Sequence, residues 1–374
     1  MRKTCFMIIL CIILCFDFNA YALSLSAKSA VLMDLATNEV LYEKNAHQKL
    51  SMASTTKIMT AICAIENADI NKKVDVKKSA IGIEGSSMYL KYNEKISMED
   101  LIYGLMLSSG NDAAVAIALD ISGSVEEFAI IMNKTAQKIG AKNTHFKNPN
   151  GLDEKDHYTT AYDLALITSY AMKNETFYKI VSTLQKKLPK TNVSPERYLR
   201  NHNKMLAMYD GCIGVKTGFT KKSGRCLVTG AKRNNLGVIA VTLNAPDDWN
   251  DHKKMLNFAF DNYKSVKIIS KGSYIQGVNV KKGDIPFIKC VAKDDIYITA
   301  KKDSEILYDI NISLPEYFNA PVTFLDDAGT LTVTSRNKEY KTKIITNSSA
   351  NIYITNTERY FDNLKNIISY FICT

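Results

Sequence analysis

The tetrapeptide Ser54-Thr55-Thr56-Lys57 constrains this chain more than any other stretch. Apolar residues follow at Ile58, Ala61, Ile62 and Ile65, the i, i+3, i+4, i+7 spacing of a buried helical face. A serine and a lysine three positions apart at the head of such a helix stack on one side of it. Local geometry alone therefore sets an amine beside a hydroxyl. A hydroxyl is a weak nucleophile at its own pKa and needs an adjacent base. A lysine amine serves only if burial or a second cation drives off its proton. Lys216, in Lys216-Thr217-Gly218, is the expected second cation.

Short motifs recur by chance. Ser335 to Lys338 repeats the Ser-x-x-Lys spacing, Ser335 to Asn337 reads Ser-x-Asn, and Lys222 to Gly224 reads Lys-Ser-Gly. Order and setting separate the first set from these. Ser54 opens an amphipathic helix, Ser109 of Ser109-Gly110-Asn111 follows the apolar run 101–107, and Lys216 lies in a strand-like segment. The Ser335 group falls in an alternating strand and turn beyond the lysine motif.

Arg2 and Lys3 precede an apolar run, 6–16, and Ala20-Tyr21-Ala22 follows it, so residues 1–22 read as a secretory signal cut after Ala22. An uncleaved anchor is the rival reading, although the run is short for a spanning helix. Either way the working part is expected outside the cytoplasm. Three of the eight cysteines fall in this leader; Cys63, Cys212, Cys226, Cys290 and Cys373 remain, at spacings that fit no zinc or disulfide framework. Cys63 reads as a small core side chain, and a Cys212–Cys226 bridge is left open. A net charge of +10 favours anionic surfaces such as lipid headgroups or wall polymers. Without a basic arm or aromatic-basic platform, nucleic acid is not an expected partner.

Residues 27–44 alternate around an Ala36-Thr37-Asn38 corner and predict a hairpin. Beyond a loop at 82–93, a helix begins near Met98 with Ser97 as its cap and stops at Ser108-Ser109-Gly110. A second helix starts at Asn111, so Ser109 and Asn111 occupy a helix break, where side chains face a cleft. Capping of the second helix by Asn111 or Asp112 is the competing reading. Helices over 125–139 and 160–172 flank a turn-rich loop, 143–152. Strands follow over 211–218, 226–230 and 238–243, and a helix over 252–263 closes the unit. Helices on an antiparallel sheet, joined by early and late segments, is the expected architecture. Gly218 is expected to leave room for a substrate backbone along the strand edge.

Three motifs in this order, with Lys-Thr-Gly on a strand, resemble the penicillin-binding proteins and class A β-lactamases. The stretches 53–60, 107–114 and 214–220, with the 143–152 loop, resemble more closely the low-molecular-mass D-alanyl-D-alanine carboxypeptidases. That resemblance covers nearly the whole chain. It implies an α/β (α+β) transpeptidase-like domain over 23–266, with an antiparallel sheet flanked by helices, and no cofactor. It also implies a peptidoglycan pentapeptide substrate and acylation by β-lactam antibiotics. Ser54 is then the acylated nucleophile and Lys57 its general base. Ser109 relays a proton to the leaving amine, and Asn111 holds the substrate amide and the Lys57 amine. Lys216 adds positive potential and, with Thr217, engages the terminal carboxylate, while the amides of Ser54 and Phe219 form the oxyanion hole. Some relatives carry histidine where this chain carries Phe219, which bears on side-chain selectivity and not on the reaction.

The five histidines lie in neither a Gly-x-Ser-x-Gly nor a His-Glu-x-x-His context, which disfavours a Ser-His-Asp hydrolase and a zinc peptidase. His202 reads as a surface or supporting residue, and Trp249 as packing at a helix start. From about Lys267 short alternating strands with charged turns predict a small all-β sandwich over 267–356, a stalk without catalytic groups. In 357–374, Tyr360, Phe361, Leu364, Ile367, Ile368 and Phe371 recur at helical spacing. That helix is too short to span a bilayer and is expected to lie in a membrane surface or to dock on its own sandwich. Rival functions on the same motifs are a D,D-endopeptidase or transpeptidase, a β-lactamase using Glu84 or Glu94, and a non-catalytic penicillin sensor that binds the wall.

Overall fold

Alternation at period two builds the central sheet of the computed structural model, which describes residues 23–336, 338–353, Thr357, Tyr360 and Leu364. The expected leader and nearly all of the expected tail helix lie outside the described residues. Strands β1 (Ser29–Asp34) and β2 (Val40–Lys44) form the hairpin read at the 36–38 corner. In β1, Val31 and Met33 face one core while Ala30 and Leu32 face another. The sheet therefore lies between two apolar layers.

Behind the first face stand α1 (Lys57–Asn67), α2 (Met98–Leu107), α3 (Asn111–Ser122), α4 (Val125–Ile139), α5 (Ala161–Met172) and α6 (Glu175–Ser182). α1 is the innermost: every residue from Lys57 to Ala64 is buried. The helix starts were legible. Ser97 accepts from Asp100 N and Thr160 from Asp163 N, each satisfying an orphan amide. Three strands complete the sheet: β3 (Cys212–Thr220), β4 (Gly224–Arg233) and β5 (Leu236–Leu243). The order is β2-β1-β5-β4-β3, antiparallel throughout, so β3 is an edge strand. On the far face α7 (Asp248–Asn262) packs Met255, Leu256 and Ala259 against Leu32, Leu227 and Ala240. This helix begins four residues before the expected His252, with Asp248 and Asp251 in its first turn.

The sequence β6 (Tyr263–Ile269), β7 (Tyr274–Lys281), β8 (Phe287–Ala292), β9 (Ile296–Lys301), β10 (Asp309–Ser313), β11 (Tyr317–Asn319), β12 (Asp327–Ser335) and β13 (Lys338–Thr346) forms the second, all-β unit. A six-stranded sheet, β10-β12-β13-β8-β7-β11, lies beside the β6–β9 pair over a core of Val278, Cys290, Ile298, Leu331, Val333 and Ile344. β6, β11 and β13 escaped the sequence reading: charged residues fill the open face of β13, and β6 continues from α7 without a turn signal. Two contacts root this unit on the first hairpin. Asp34, which accepts from Ala36 N and Thr37 N, also accepts from Thr299 Oγ1 at 2.8 Å. Lys338 pairs with Glu39 at 2.7 Å. Cys63, Cys212, Cys226 and Cys290 are free thiols, so no Cys212–Cys226 bridge forms. Among the described residues no helix is long and apolar enough to cross a membrane.

One ion pair fixes the long loop over the cleft. Arg197 grips the buried Glu94 carboxylate with two bonds of 2.6 and 2.8 Å, and Thr191 and Lys91 N add a third and a fourth at 3.0 Å. Burial alone would raise the Glu94 carboxyl, but the Arg197 bonds hold it below the ordinary carboxylate range. That stability is present above the unfolded pKa and is lost as pH falls through the lower folded value. Arg197→Met leaves an unpaired buried carboxylate and is expected to cost about 3–5 kcal/mol in urea unfolding at pH 7. The deficit should shrink as the pH approaches 4.

Candidate active site

Ser54 sits in a 3-10 turn, Ala53–Thr56, and the α-helix proper begins at Lys57. The sequence reading opened the helix at Ser54; the difference has a tertiary cause. Ala53 is left-handed, with φ +48°, and its carbonyl lies against Gly151 of the 143–152 loop. A Cβ at Gly151 would approach the Ala53 oxygen to 2.0 Å, and Gly151 itself has φ +86°. The turn is closed by Thr55, whose hydroxyl donates to Met52 O at 2.6 Å. Gly218 of β3 abuts the same turn: a Cβ there would stand 3.0 Å from Ser54 N and 3.1 Å from Met52 O. The Cβ side of Gly218 is thus filled by the turn carrying Ser54, and Gly218 also lines the cavity.

The Lys57 amine is completely buried and has three partners. It donates to Asn111 Oδ1 at 2.6 Å and to the Asn150 carbonyl at 2.5 Å, and lies 2.9 Å from Ser54 Oγ. A neutral amine has two N–H groups and one lone pair. With the hydrogens spent on two carbonyl oxygens, the lone pair is left for the Ser54 hydroxyl proton. Burial first, and then the charge of Lys216, drive Lys57 well below an ordinary lysine, with Asp112 opposing in part. Lys216 is itself buried, its Nζ donating to Thr217 O at 3.0 Å, and burial lowers it to about 7. One neutral and one protonated amine is the arrangement that two neighbouring buried lysines favour.

The helix break lies where the sequence placed it. Ser109 is left-handed, φ +59°, between α2 and α3, and Asn111 opens α3 with its Nδ2 donating to Glu84 O at 2.5 Å. Neither Asn111 nor Asp112 caps that helix; Gly110 holds the cap position without a side-chain bond. Asp112 instead ties down the 82–93 loop, accepting from Ser87 Oγ, Met88 N and Leu90 N. Ser54, Ser109, Thr217, Gly218 and Phe219 line one cavity of about 310 Å³, with Lys57, Asn111 and Lys216 buried behind it. All eight residues singled out by motif therefore converge.

The same cavity holds His202 and Trp249, for which the sequence reading had no place in the site, and Arg225 and Asp248, which it did not single out. His202 lies on its wall, its N–H donating to Leu107 O, and burial first, then Lys216, lower its pKa. Arg225 of β4 stands directly across the ladder from Phe219. Its Nε and Nη2 both reach Asp248 Oδ1 at 2.9 Å, and its guanidinium lies 5.7 Å from the Trp249 ring centroid. Trp249 does pack at a helix start, as expected, and it also lines the cavity. Asn150 contributes a backbone carbonyl, which no residue type announces. His157 and His252 are core groups: His157 bonds Thr56 Oγ1 and is lowered to about 4, and His252 lies between Thr229 and Thr242 and is lowered to about 3, both chiefly by burial.

A serine hydroxyl paired to a buried amine on a helix, a second amine on an edge strand and a helix break between them fit a serine acyl-transfer enzyme of the penicillin-binding fold. Residues 17–247 match the family model for D-alanyl-D-alanine carboxypeptidase, and residues 263–359 match that for the penicillin-binding protein 5 C-terminal domain. The chain belongs to this carboxypeptidase family. It is 38% identical to the D-alanyl-D-alanine carboxypeptidase DacF of Bacillus subtilis over 82% of this chain and 80% of that one. The solved structure of penicillin-binding protein 5 from Haemophilus influenzae superposes with a TM-score of 0.67 at 30% identity, covering 87% of this chain and 98% of that one. The Streptomyces K15 DD-transpeptidase matches the catalytic part, with a TM-score of 0.61 at 33% identity over 64% of this chain and 98% of that one.

Gly151→Ala tests the coupling of loop to nucleophile. The 2.0 Å approach to Ala53 O forces the Ser54 turn to move, so β-lactam acylation should fall at least about tenfold, with a loss of roughly 2–4 kcal/mol in stability. A stopped-flow acylation assay beside thermal unfolding reads both.

Proposed function

We propose that this chain removes the terminal D-alanine from peptidoglycan stem pentapeptides through an acyl-enzyme on Ser54, and that β-lactams acylate the same oxygen. The observation that carries the reading is the buried Lys57 amine, held by Asn111 Oδ1 and the Asn150 carbonyl with its Nζ 2.9 Å from Ser54 Oγ.

The Ser54 proton passes to Lys57 Nζ as Oγ attacks the carbonyl of the penultimate residue. The developing oxyanion is received by the backbone amides of Ser54 and Phe219, donors of a kind that contribute roughly 3 kcal/mol each. Protonation of the leaving amine runs from Lys57 through Ser109, D-alanine departs, and water resolves the ester along the reverse route. Asn111 holds the Lys57 amine and meets the substrate amide. Lys216 and the half-exposed Arg225 make the cationic surroundings of the terminal carboxylate, which Thr217 also engages. A β-lactamase reading gains nothing from Glu84, which is exposed, or from Glu94, which is bound to Arg197. Among the described residues, the carboxylate on the cavity wall is Asp248, and it is held by Arg225. Glu84 and Glu94 thus offer no base for rapid penicilloyl hydrolysis.

In this reading residues 1–22 are removed on export, 23–266 form the catalytic unit and 267–356 the stalk. Residues 357–374 lie in the outer face of the cytoplasmic membrane, apolar side down.

D-alanine release from a synthetic pentapeptide by wild type and Ser54→Ala separates an enzyme from a binder. Release should drop by at least about three orders of magnitude and fluorescent penicillin labelling should vanish; comparable release by the variant would rule out Ser54. The two amines also set a pH profile. Activity needs Lys57 neutral and Lys216 charged. The acid limb of kcat/KM therefore follows Lys57, and the alkaline limb of the free enzyme lies near the Lys216 value of about 7. A bound carboxylate favours the Lys216 ammonium, so the alkaline limb of kcat should sit at higher pH than that of kcat/KM.

A further inference from the structure

The all-β unit ends, on the side away from the catalytic unit, in three adjoining loops. β13 starts at Lys338, which meets Glu39 of the first hairpin, and ends at Thr346. At about 3.3 Å per residue that strand carries whatever follows it roughly 26 Å from the contact. Residues 347–353 there are laced to 282–287 and 320–326. Gly283 bridges Ile352, Val322 bridges Ala350, and Leu325 N donates to Thr346 O.

These loops present apolar side chains to solvent. Phe287, Phe324, Leu325, Ile352 and Tyr353 are each at least half exposed. The carboxylates among them are turned to internal bonds: Asp284 accepts from Asn351 N and Nδ2, and Asp326 from Thr323 N. Lys282 and Lys289 stand exposed beside them. From Tyr353 the chain runs on into the segment whose Tyr360, Phe361, Leu364, Ile367, Ile368 and Phe371 recur at helical spacing.

We infer that this tip is a second membrane contact, in which Phe324, Leu325, Ile352 and Tyr353 enter the interface of an anionic bilayer. Aromatic and aliphatic side chains favour the headgroup boundary, and neighbouring ammonium groups meet anionic lipid. The location supplies the geometry. The tip is where the chain leaves the sandwich toward the tail, and the catalytic unit stands at the opposite end. The inference rests on the membrane reading of residues 357–374 only for which surface the tail shares; the exposed loops argue for it independently.

The mature chain, residues 23–374, is compared with a tip variant (Phe324→Ser, Leu325→Ser, Tyr353→Ser), a tail variant (Phe361→Ser, Ile368→Ser, Phe371→Ser) and their combination. Co-sedimentation uses vesicles of phosphatidylcholine and phosphatidylglycerol, and fluorescent penicillin labelling of each protein reports an intact catalytic unit. The tip variant should partition about tenfold less than wild type, and the combined variant should lose the residual binding of the tail variant. Ile310→Ser with Ile312→Ser, an exposed pair on the edge strand β10, should leave partition unchanged. In a second measurement, Leu325→Trp should shift its emission to the blue when vesicles are added. The tip contact is overturned if the tip variant partitions like wild type and Leu325→Trp shows no shift. It is also overturned if the tip substitutions alter only self-association without lipid. Loss with the tail variant alone would leave the tail reading standing without the tip, and loss with the tip variant alone the reverse.

Discussion

A lysine amine buried among carbonyl oxygens is the contact on which the rest of this structure depends. Among the described residues Lys57 has no carboxylate bonded to it; its amine meets Asn111 Oδ1 and Asn150 O, and Lys216 repels its charge. Neutral acceptors cannot stabilise an ammonium as a carboxylate would, so the Lys57 amine is held well below an ordinary lysine. Three distant segments must meet to do this. The 143–152 loop brings the Asn150 carbonyl, the α2–α3 break brings Asn111, and edge strand β3 brings Lys216.

Much of the scaffold is explained by the need to hold those segments still. The α1 helix is buried along its first eight residues, so the amine cannot reach water by rotating its helix. Gly151 and Gly218 let two backbones close on the Ser54 turn. Asp112 pins the 82–93 loop, and the bond of Glu94 to Arg197 secures its end. β3 keeps one edge free beside the cavity, as a sheet must if an extended peptide is to lie along it. The all-β unit is rooted on the far side, through Asp34 and Glu39, and leaves the cleft open.

The legible parts of the site were those written in side chains close together in sequence. Ser54 and Lys57 are neighbours by helical geometry, and Ser109 and Asn111 by a helix break, so their convergence needed only the order of the motifs. The cap at Ser97 was equally local. What escaped notice depends on distance. The 3-10 entry to α1 arises from contact with Gly151, nearly a hundred residues on, and the Asn150 carbonyl carries no residue signature. Arg225 joins the cavity only because the β3–β4 register sets it across from Phe219 and because α7 starts at Asp248, earlier than its periodicity suggested. Gly218 was read as a place of close approach, and the approach the fold makes there is that of the Ser54 turn. In the second unit β13 was missed because its lysines fill the solvent face and blur the alternation.

Direct titration of the Lys57 amine tests the central claim most closely. In protein labelled with 13C at lysine Cε, with Lys57→Arg used to assign the resonance, the Lys57 signal should titrate far below the usual lysine value of about 10.5. It should also lie below the Lys216 transition, and Lys216→Met should move it upward. A Lys57 signal that stays at its protonated position up to pH 10 would contradict the account, since Ser54 would then lack its base.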